Sequence, residues 1–452
     1  MGRVKPKGSK TKEQDGPSRF DAWADISQSF QQPRWKMYEL EFEKGRDEKV
    51  QVFGHYIVAT GDEIWCIGGF RPCERAKISL LKLKLHSKCW DDLTPPDNAI
   101  APAWRWGHSA CVIGKQVVQK QVISSILLCG GFNKNCNHDD VWHFCPKEKV
   151  FTEPQASLQR LPFHGAYHSL AYDSFSEEAY IFGGQCCVGG PYVYSDRVLI
   201  AQMRRHRRGW QELRTSGVKP PARAQHAAVI VESGTMIIYG GANSSSTLHD
   251  VWTLDLRKAP PQWSEVRTSS QAPFVSRFFT PRDFEVVSSR PQMASHGSGV
   301  IVVGEGRGHC LSLWALQLGR WHSLPAAGAP TWAGNFAATF LGDTCSTTQN
   351  RGTRLLVFGG ENCRGQCGGL PGGALHHGGL WTLDLILKPS NVLQRTLRCA
   401  LQGSKTCLSE EAFEAVELGV KFPHVPTGML DRAGHPGLLY GEFGGLADSR
   451  AE

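Results

Sequence analysis

Nowhere does the 452-residue chain hold the roughly 18 consecutive apolar residues that a membrane-spanning helix needs. Its longest purely apolar runs, such as Ile126 to Cys129 and Ala227 to Val231, are a few residues long. The N-terminus, Met1-Gly-Arg-Val-Lys-Pro-Lys-Gly-Ser-Lys-Thr-Lys, is basic but has no apolar h-region of a secretory signal, and Pro6 stands where a myristoylation signal wants Ser or Thr. The expectation is a soluble protein of the cytoplasm, the nucleus or both. Charged residues are scarce, at 20%, while Gly (49), Trp (14) and Phe (21) are abundant. That balance excludes coiled coil, collagen and wholesale disorder, and argues against a helical bundle.

Also missing are nucleophile elbows, phosphate loops, paired carboxylates and metal-binding helix motifs, so no enzyme and no cofactor is expected. The fifteen cysteines would suit a disulfide scaffold only in a much shorter secreted chain. Several sit in apolar runs (Cys66, Cys111, Cys129), where a reduced thiol acts as a small hydrophobe. Cys363, Cys367, His376 and His377 share a glycine-rich insertion too loose to hold a zinc tetrahedron cheaply, so no metal site is assigned. The net charge of +8 is patchy, drawn from the N-terminal tail and from Arg204-Arg205-His206-Arg207-Arg208. No aromatic-interleaved basic motif accompanies it, so nucleic acid is not an expected partner.

What is present is a repeat. Short apolar runs end in a Gly pair at Gly68-Gly69, Gly130-Gly131, Gly183-Gly184, Gly240-Gly241 and Gly359-Gly360, with a degenerate sixth at Gly304-Glu305-Gly306. The successive spacings are 62, 53, 57, 64 and 55 residues, which is one supersecondary unit used six times. An apolar residue and Trp follow the pair in Asp140-Val-Trp142, Asp250-Val-Trp252 and Leu380-Trp381, and another aromatic comes further on (Trp90, Phe151, Trp210, Trp263, Trp321). Before each pair runs a segment such as Arg105-Trp106-Gly-His108, His164-Gly-Ala-Tyr167-His168 or Arg223-Ala-Gln225-His226. Four short strands per unit follow, bounded by Gly, Pro, Asn and Ser turns. Such a unit is a propeller blade, in which a Gly pair would let the backbone take positive φ and approach the central axis while large aromatics fill the wedge that widens outward.

These residues resemble the kelch repeat over about residues 35 to 388, which implies an all-β fold: a six-bladed kelch β-propeller with a short helical C-terminal appendage. Residues 1–34 read as a basic, disordered tail, too short for a BTB or F-box domain. The strand 35–42 is expected to complete the last blade, and 421–452 reads as an irregular tail. Between them, over 389–420, Ser390 caps a helix with Leu393, Leu397 and Leu401 on one face, and Ser409 caps a second with Leu408 and Phe413 at staple spacing. A propeller followed by two such helices resembles the kelch-domain-containing substrate receptors of cullin-RING ubiquitin ligases. That resemblance implies docking of elongin B/C and a cullin through Leu393, Leu397, Leu401, Leu408 and Phe413. It also implies a pocket that clamps a peptide or protein terminus. The matching positions are Arg105, Trp106 and His108, Tyr167 and His168, Arg223 and Gln225, Arg282 and Trp332, with Arg223 and Arg282 expected to pair with the terminal carboxylate. Two alternatives stay open: these Arg and His side chains satisfy inter-blade backbone groups instead, and the protein is a non-ligase kelch scaffold whose C-terminal helices are a packing appendage.

Overall fold

In the computed structural model, each of the repeated apolar runs is the second of four antiparallel strands in a sheet, to which blade one adds a fifth, parallel strand. The structure describes residues 34–386 apart from 39–40, 43–53, 61–62, 70–75, 85–88, 119–120, 134–135, 187–190, 204–208, 232–233, 269–290, 297–298, 306–310, 318–319, 325, 327, 331–335, 343–351 and 360–379. Blade one is Tyr56–Thr60, Glu63–Ile67, Leu80–Lys84 and Cys89–Asp92; blade two is Ser109–Val118, Gln121–Cys129, Val141–Cys145 and Val150–Thr152. Blade three is Ser169–Asp173, Glu178–Phe182, Val198–Gln202 and Gln211–Glu212; blade four is Ala227–Val231, Thr235–Tyr239, Val251–Asp255 and Gln262–Val266. Blade five, whose Gly mark is degenerate, is complete: Gln292–His296, Gly299–Glu305, Leu311–Gln317 and Arg320–Leu324. Blade six has three strands of its own, Ala337–Gly342, Gly352–Phe358 and Leu380–Ile386.

Its fourth strand is Lys36–Tyr38, antiparallel to Leu380–Ile386. The single strand expected over 35–42 is in fact two, because Glu41–Phe42 pairs in parallel with Cys89–Asp92 on the outer edge of blade one. One N-terminal segment therefore covers the open edges of both blades at the closing seam, where unpaired N–H and C=O groups would otherwise face solvent. Trp35, buried beside this segment, occupies the place that Trp90, Phe151, Trp263 and Trp321 take in or beside the outer strands of other blades.

The apolar runs are unbroken rather than alternating because both faces of each blade are covered. In Ile126-Leu127-Leu128-Cys129, Ile126 and Leu128 pack with Trp65 and Leu80 of blade one. Leu127 and Cys129 pack with Ile181 and Leu199 of blade three. One such cluster fills each seam, six in all, the last joining Leu356 and Phe358 of blade six to Ile57 and Ile64 of blade one. The first strand of each blade lies against the first strand of the next, and blade six against blade one, which closes the ring. Cys66, Cys111 and Cys129 are free thiols, and burial pushes the Cys111 and Cys129 thiols above their ordinary pKa.

The Gly pairs of blades one to four take positive φ, as the repeat pattern suggested, and in three seams what crowds them is histidine. A Cβ on the first glycine would meet the histidine of the next blade: His108 at 2.3 Å from Gly68, His168 at 2.7 Å from Gly130, His226 at 2.8 Å from Gly183. A Cβ on the second would meet the histidine of its own blade: His108 at 2.8 Å from Gly131, His168 at 3.0 Å from Gly184, His226 at 2.9 Å from Gly241. The Gly and His marks are thus one seam device. Gly183→Ala, at φ 67° with the Arg223 carbonyl 2.5 Å from the new Cβ, is expected to lower the melting temperature more than Gly114→Ala. Gly114 has φ 58° with nothing within 4 Å, so that variant carries only the left-handed strain of about 1–2 kcal/mol. Equal melting shifts in the two variants would show that the close approach costs nothing.

Candidate functional site

Strand one begins where strand two ends, as Ser109 opposite Cys129 and Ala227 opposite Tyr239 show. The segments carrying Arg105-Trp106, Tyr167 and Arg223-Gln225 therefore gather with the loops after the Gly pairs at one end of the propeller. Most of the expected binding residues lie here, but they divide into three sets with different roles.

The first set is the arginines. Arg105 is 0% exposed. Its Nε donates to the Ala103 carbonyl at 3.0 Å, and Nη1 donates to the Gly130 carbonyl at 3.0 Å and to Asp140 Oδ1. Its Nη2 donates to Asp140 Oδ2 at 2.8 Å. Arg223, also 0% exposed, repeats the arrangement on the Pro221 and Gly240 carbonyls and on Asp250 at 2.6 and 2.8 Å. Trp142 and Trp252 each add an indole N–H to the same carboxylates, at 2.8 and 2.6 Å. Burial alone would raise the Asp140 pKa, but the Arg105 hydrogen bonds and charge, with Trp142, hold it down to about 2. Asp250 is lowered against the same burial cost by Arg223 and Trp252. Of the two arginines expected to pair with a terminal carboxylate, Arg223 already grips a carboxylate in two places, as Arg105 does, and an incoming one would have to expel Asp250. The carbonyls these guanidinium groups also bind, Ala103 and Gly130 for Arg105 and Pro221 and Gly240 for Arg223, belong to each arginine's own segment and blade rather than to a neighbouring blade, as the alternative had it.

The second set lines the axis. Gly54, Gly107, Tyr167 and Gln225, one from each of the first four blades, all lie in the left-handed region, with φ of 65°, 64°, 57° and 59°. Each donates its N–H to the preceding member's carbonyl: Gly107 to Gly54 at 3.4 Å, Tyr167 to Gly107 at 2.6 Å, Gln225 to Tyr167 at 2.9 Å. Next to this ladder, His168 shares a 2.9 Å hydrogen bond with Ser109, and His226 one of 2.9 Å with Ser169, stitching blade three to two and four to three. His108, His168 and His226 are buried, so these histidines are seam residues.

The third set is aromatic. Trp104 and Trp106 ring centroids are 5.1 Å apart, Trp106 and Phe132 4.4 Å, Phe132 and Tyr167 5.5 Å, making a row across the loops of blades two and three. All four side chains are half-buried. The row sits on the axial ladder: a Cβ on Gly54 would touch Trp106 at 3.3 Å, and one on Gly107 would touch Phe132 at 3.0 Å and Tyr167 at 3.2 Å. Trp104 donates its indole N–H to the Gly69 carbonyl at 3.2 Å, and Asn133 donates to the Trp104 carbonyl at 3.3 Å. Sequence reasoning picked Trp106 and Tyr167 but missed Trp104 and Phe132. The signal for Phe132 was its place directly after the second glycine, where blade four has Ala242.

Arg282 and Trp332, and the docking candidates Leu393, Leu397, Leu401, Leu408 and Phe413, lie outside the described residues, as do the Arg204–Arg208 cluster and the Cys363 to His377 loop. Among the described residues no group of three or more His, Cys, Asp or Glu side chains is placed to hold a metal ion, and no helix is long and apolar enough to cross a membrane.

Comparison with known proteins finds the KLHDC2/KLHL20/DRC7 Kelch-repeats domain matching residues 54–282 and 167–362. The chain is 24% identical over 233 residues to Kelch domain-containing protein 3 of Bos taurus, covering 49% of this chain and 55% of that protein. The Homo sapiens protein of the same name matches to the same extent. Adagio-like protein 3 of Oryza sativa subsp. japonica is 26% identical over 272 residues, 58% of this chain and 39% of that protein. The chain thus spans about half the length of the first two relatives.

Proposed function

Because the chain belongs to the KLHDC2/KLHL20/DRC7 kelch-repeat family, a propeller class of protein-interaction module, we propose that it is the substrate-recognition subunit of a cullin-RING ubiquitin ligase, acting in the cytoplasm, the nucleus or both. The propeller binds a partner polypeptide at the Gly-pair end, and the segment after Ile386 docks elongin B/C and a cullin through Leu393, Leu397, Leu401, Leu408 and Phe413. The observation that carries this reading is the polarity of blade six. Ile386 pairs with Gly352, the start of the second strand, so the chain leaves the propeller at the end opposite the aromatic row. Ligand face and exit point are therefore separate, as a receptor holding substrate and ligase at once requires. For a terminal carboxylate as ligand, Arg282 is the candidate that remains once Arg105 and Arg223 are spent on Asp140 and Asp250.

The test is capture by purified elongin B/C. The intact chain is expected to be retained, while a chain ending at Leu387 and the double variant Leu393→Asp/Leu397→Asp are expected to be lost. Intact, folded protein that is not retained would reduce the function to that of a kelch scaffold assembling protein partners without a ligase.

A further inference from the structure

Blade two departs from the others in the length of its first hairpin. In blades one, three, four and six the third strand pairs with the second over its whole length, as Leu80–Lys84 does with Glu63–Ile67. In blade two Ser109–Val118 and Gln121–Cys129 pair with each other from Ser109 opposite Cys129 out to Val118 opposite Gln121. The third strand meets the second only from Ile126 to Cys129. The cause is local: Val141–Cys145 runs into Pro146, which has no N–H with which to extend the ladder. Residues 121–125 therefore run on as one edge of a two-stranded ribbon, about 13 Å long at the rise of a strand. The ribbon lies at the end of the propeller opposite the Gly pairs, and among the described residues no third strand joins it there.

A lone two-stranded ribbon is marginal in water, and an edge of unpaired N–H and C=O groups is a template for a further strand. The two edges are not equally open. The first strand is shifted by a bulge between Ile113 and Lys115, with Gly114 at φ 58°, and carries the charge of Lys115. A bulge and a lysine both deter edge pairing. The second edge, Gln121-Val122-Ile123-Ser124-Ser125, has no bulge, no proline and no charge, and its centre is β-branched. These five residues also complement themselves. Strands related by a two-fold axis through their sheet pair positions of the same parity, so complete overlap sets Gln121 opposite Ser125, Val122 opposite Ser124 and Ile123 opposite Ile123. Apolar meets apolar at the centre and no charge meets its like, which matters for two copies of a chain with a net charge of +8. We propose that 121–125 is a self-association edge, through which two copies of this chain pair antiparallel about Ile123 and join their ribbons into one four-stranded sheet. The contact is isologous, so it closes at two copies, and the Gly-pair ends of both propellers stay clear. An edge this short gives a small interface and hence a weak, concentration-dependent dimer. The proposal goes beyond the function proposed above and depends on neither the ligase role nor the ligand.

Sedimentation equilibrium of the intact chain, under reducing conditions and over a concentration series, tests it. The parent is expected to pass from monomer to dimer as concentration rises, with no larger species. Ile123→Lys, which brings two like charges to the axis, is expected to weaken dimerisation by about tenfold or more. A second variant replaces 115–124 by a short turn, leaving the five pairs from Ser109 with Cys129 to Ile113 with Ser125, the hairpin length of blade three. It is expected to stay monomeric with an unchanged far-UV circular dichroism spectrum. Ile123→Cys, oxidised with copper phenanthroline, is expected to give more cross-linked dimer than the parent with its own cysteines, and more than Gln121→Cys, which would face Ser125 in the pairing. A parent that stays monomeric up to its solubility limit would overturn the proposal. So would a dimer that survives both Ile123→Lys and the shortened hairpin, or cross-linking at 123 no greater than at 121.

Discussion

Arg105→Ala is expected to destabilise the propeller by about 3–5 kcal/mol, because it leaves the Asp140 carboxylate buried among strands with its main cation gone. Arg223→Ala should behave alike, with Asp250 the stranded charge. The cost belongs to breaking the pair rather than to lacking it, so the double variant Arg105→Met/Asp140→Leu should recover most of the stability. Chemical denaturation of the single and double variants makes the comparison, provided the unfolding transition of the six-bladed ring is cooperative. If instead Arg105→Ala unfolds like the parent but loses peptide binding, the guanidinium serves a ligand and the reading of the Asp140 pair as structural fails. The pair also sets an acid limit. With the Asp140 pKa held at about 2, below its unfolded value near 3.8, its contribution is present above pH 3.8 and is lost as pH falls towards 2.

A second large effect lies in a milder pH window. His55, buried at the seam between blades six and one with its ring against Phe358 at 5.4 Å, has its pKa lowered by burial to about 3, a Phe358 backbone hydrogen bond pulling weakly the other way. The folded pKa lies below the unfolded value near 6.5, so between them the unfolded chain binds the extra proton and stability falls as pH drops. Integrating that slope from pH 7 to pH 5 gives a loss of roughly 2 kcal/mol from this one residue. His138, lowered to about 4 by burial and then by the Arg105 charge, His249 and His322, both lowered by burial, titrate in the same direction. The contribution of His55 is therefore the difference between the parent and His55→Gln: the variant should lose less stability from pH 7 to pH 5, and identical slopes would refute the assignment. Asp140 does not interfere, since its window opens only below pH 4.

Much of the architecture was legible because its cause is local and repeated. An apolar run closed by Gly-Gly, an aromatic further on and, in the first four blades, a His before the first strand recur with the period of one blade, and a unit that buries both faces against copies of itself needs that pattern. The count of six, including the weakly marked blade five, followed from it. The Arg–Asp pairing was also written in the repeat but was not read. Arg occurs at its position in blades two and four, the blades that have Asp before the Trp strand, whereas blade one has Val52 with Ser79 and blade three Gly165 with Arg197. A charge that appears only where its opposite appears is paired, and a paired arginine is not free for a ligand.

The sequence by itself determined that this chain is a ring of six four-stranded blades, because strand period, turn residues and glycine placement depend on neighbours a few residues away. Only the tertiary structure decided what the side chains at the Gly-pair end do. Arg105 meets Asp140 across 35 residues of chain and Arg223 meets Asp250 across 27. Gly130 is glycine because of His168 in the next blade, and the N-terminal segment splits between two blades because closure brings both edges within its reach. The last two are contacts that the closing of the ring brings together, whereas each Arg–Asp pair forms within one blade, where the repeat already sets its two members side by side.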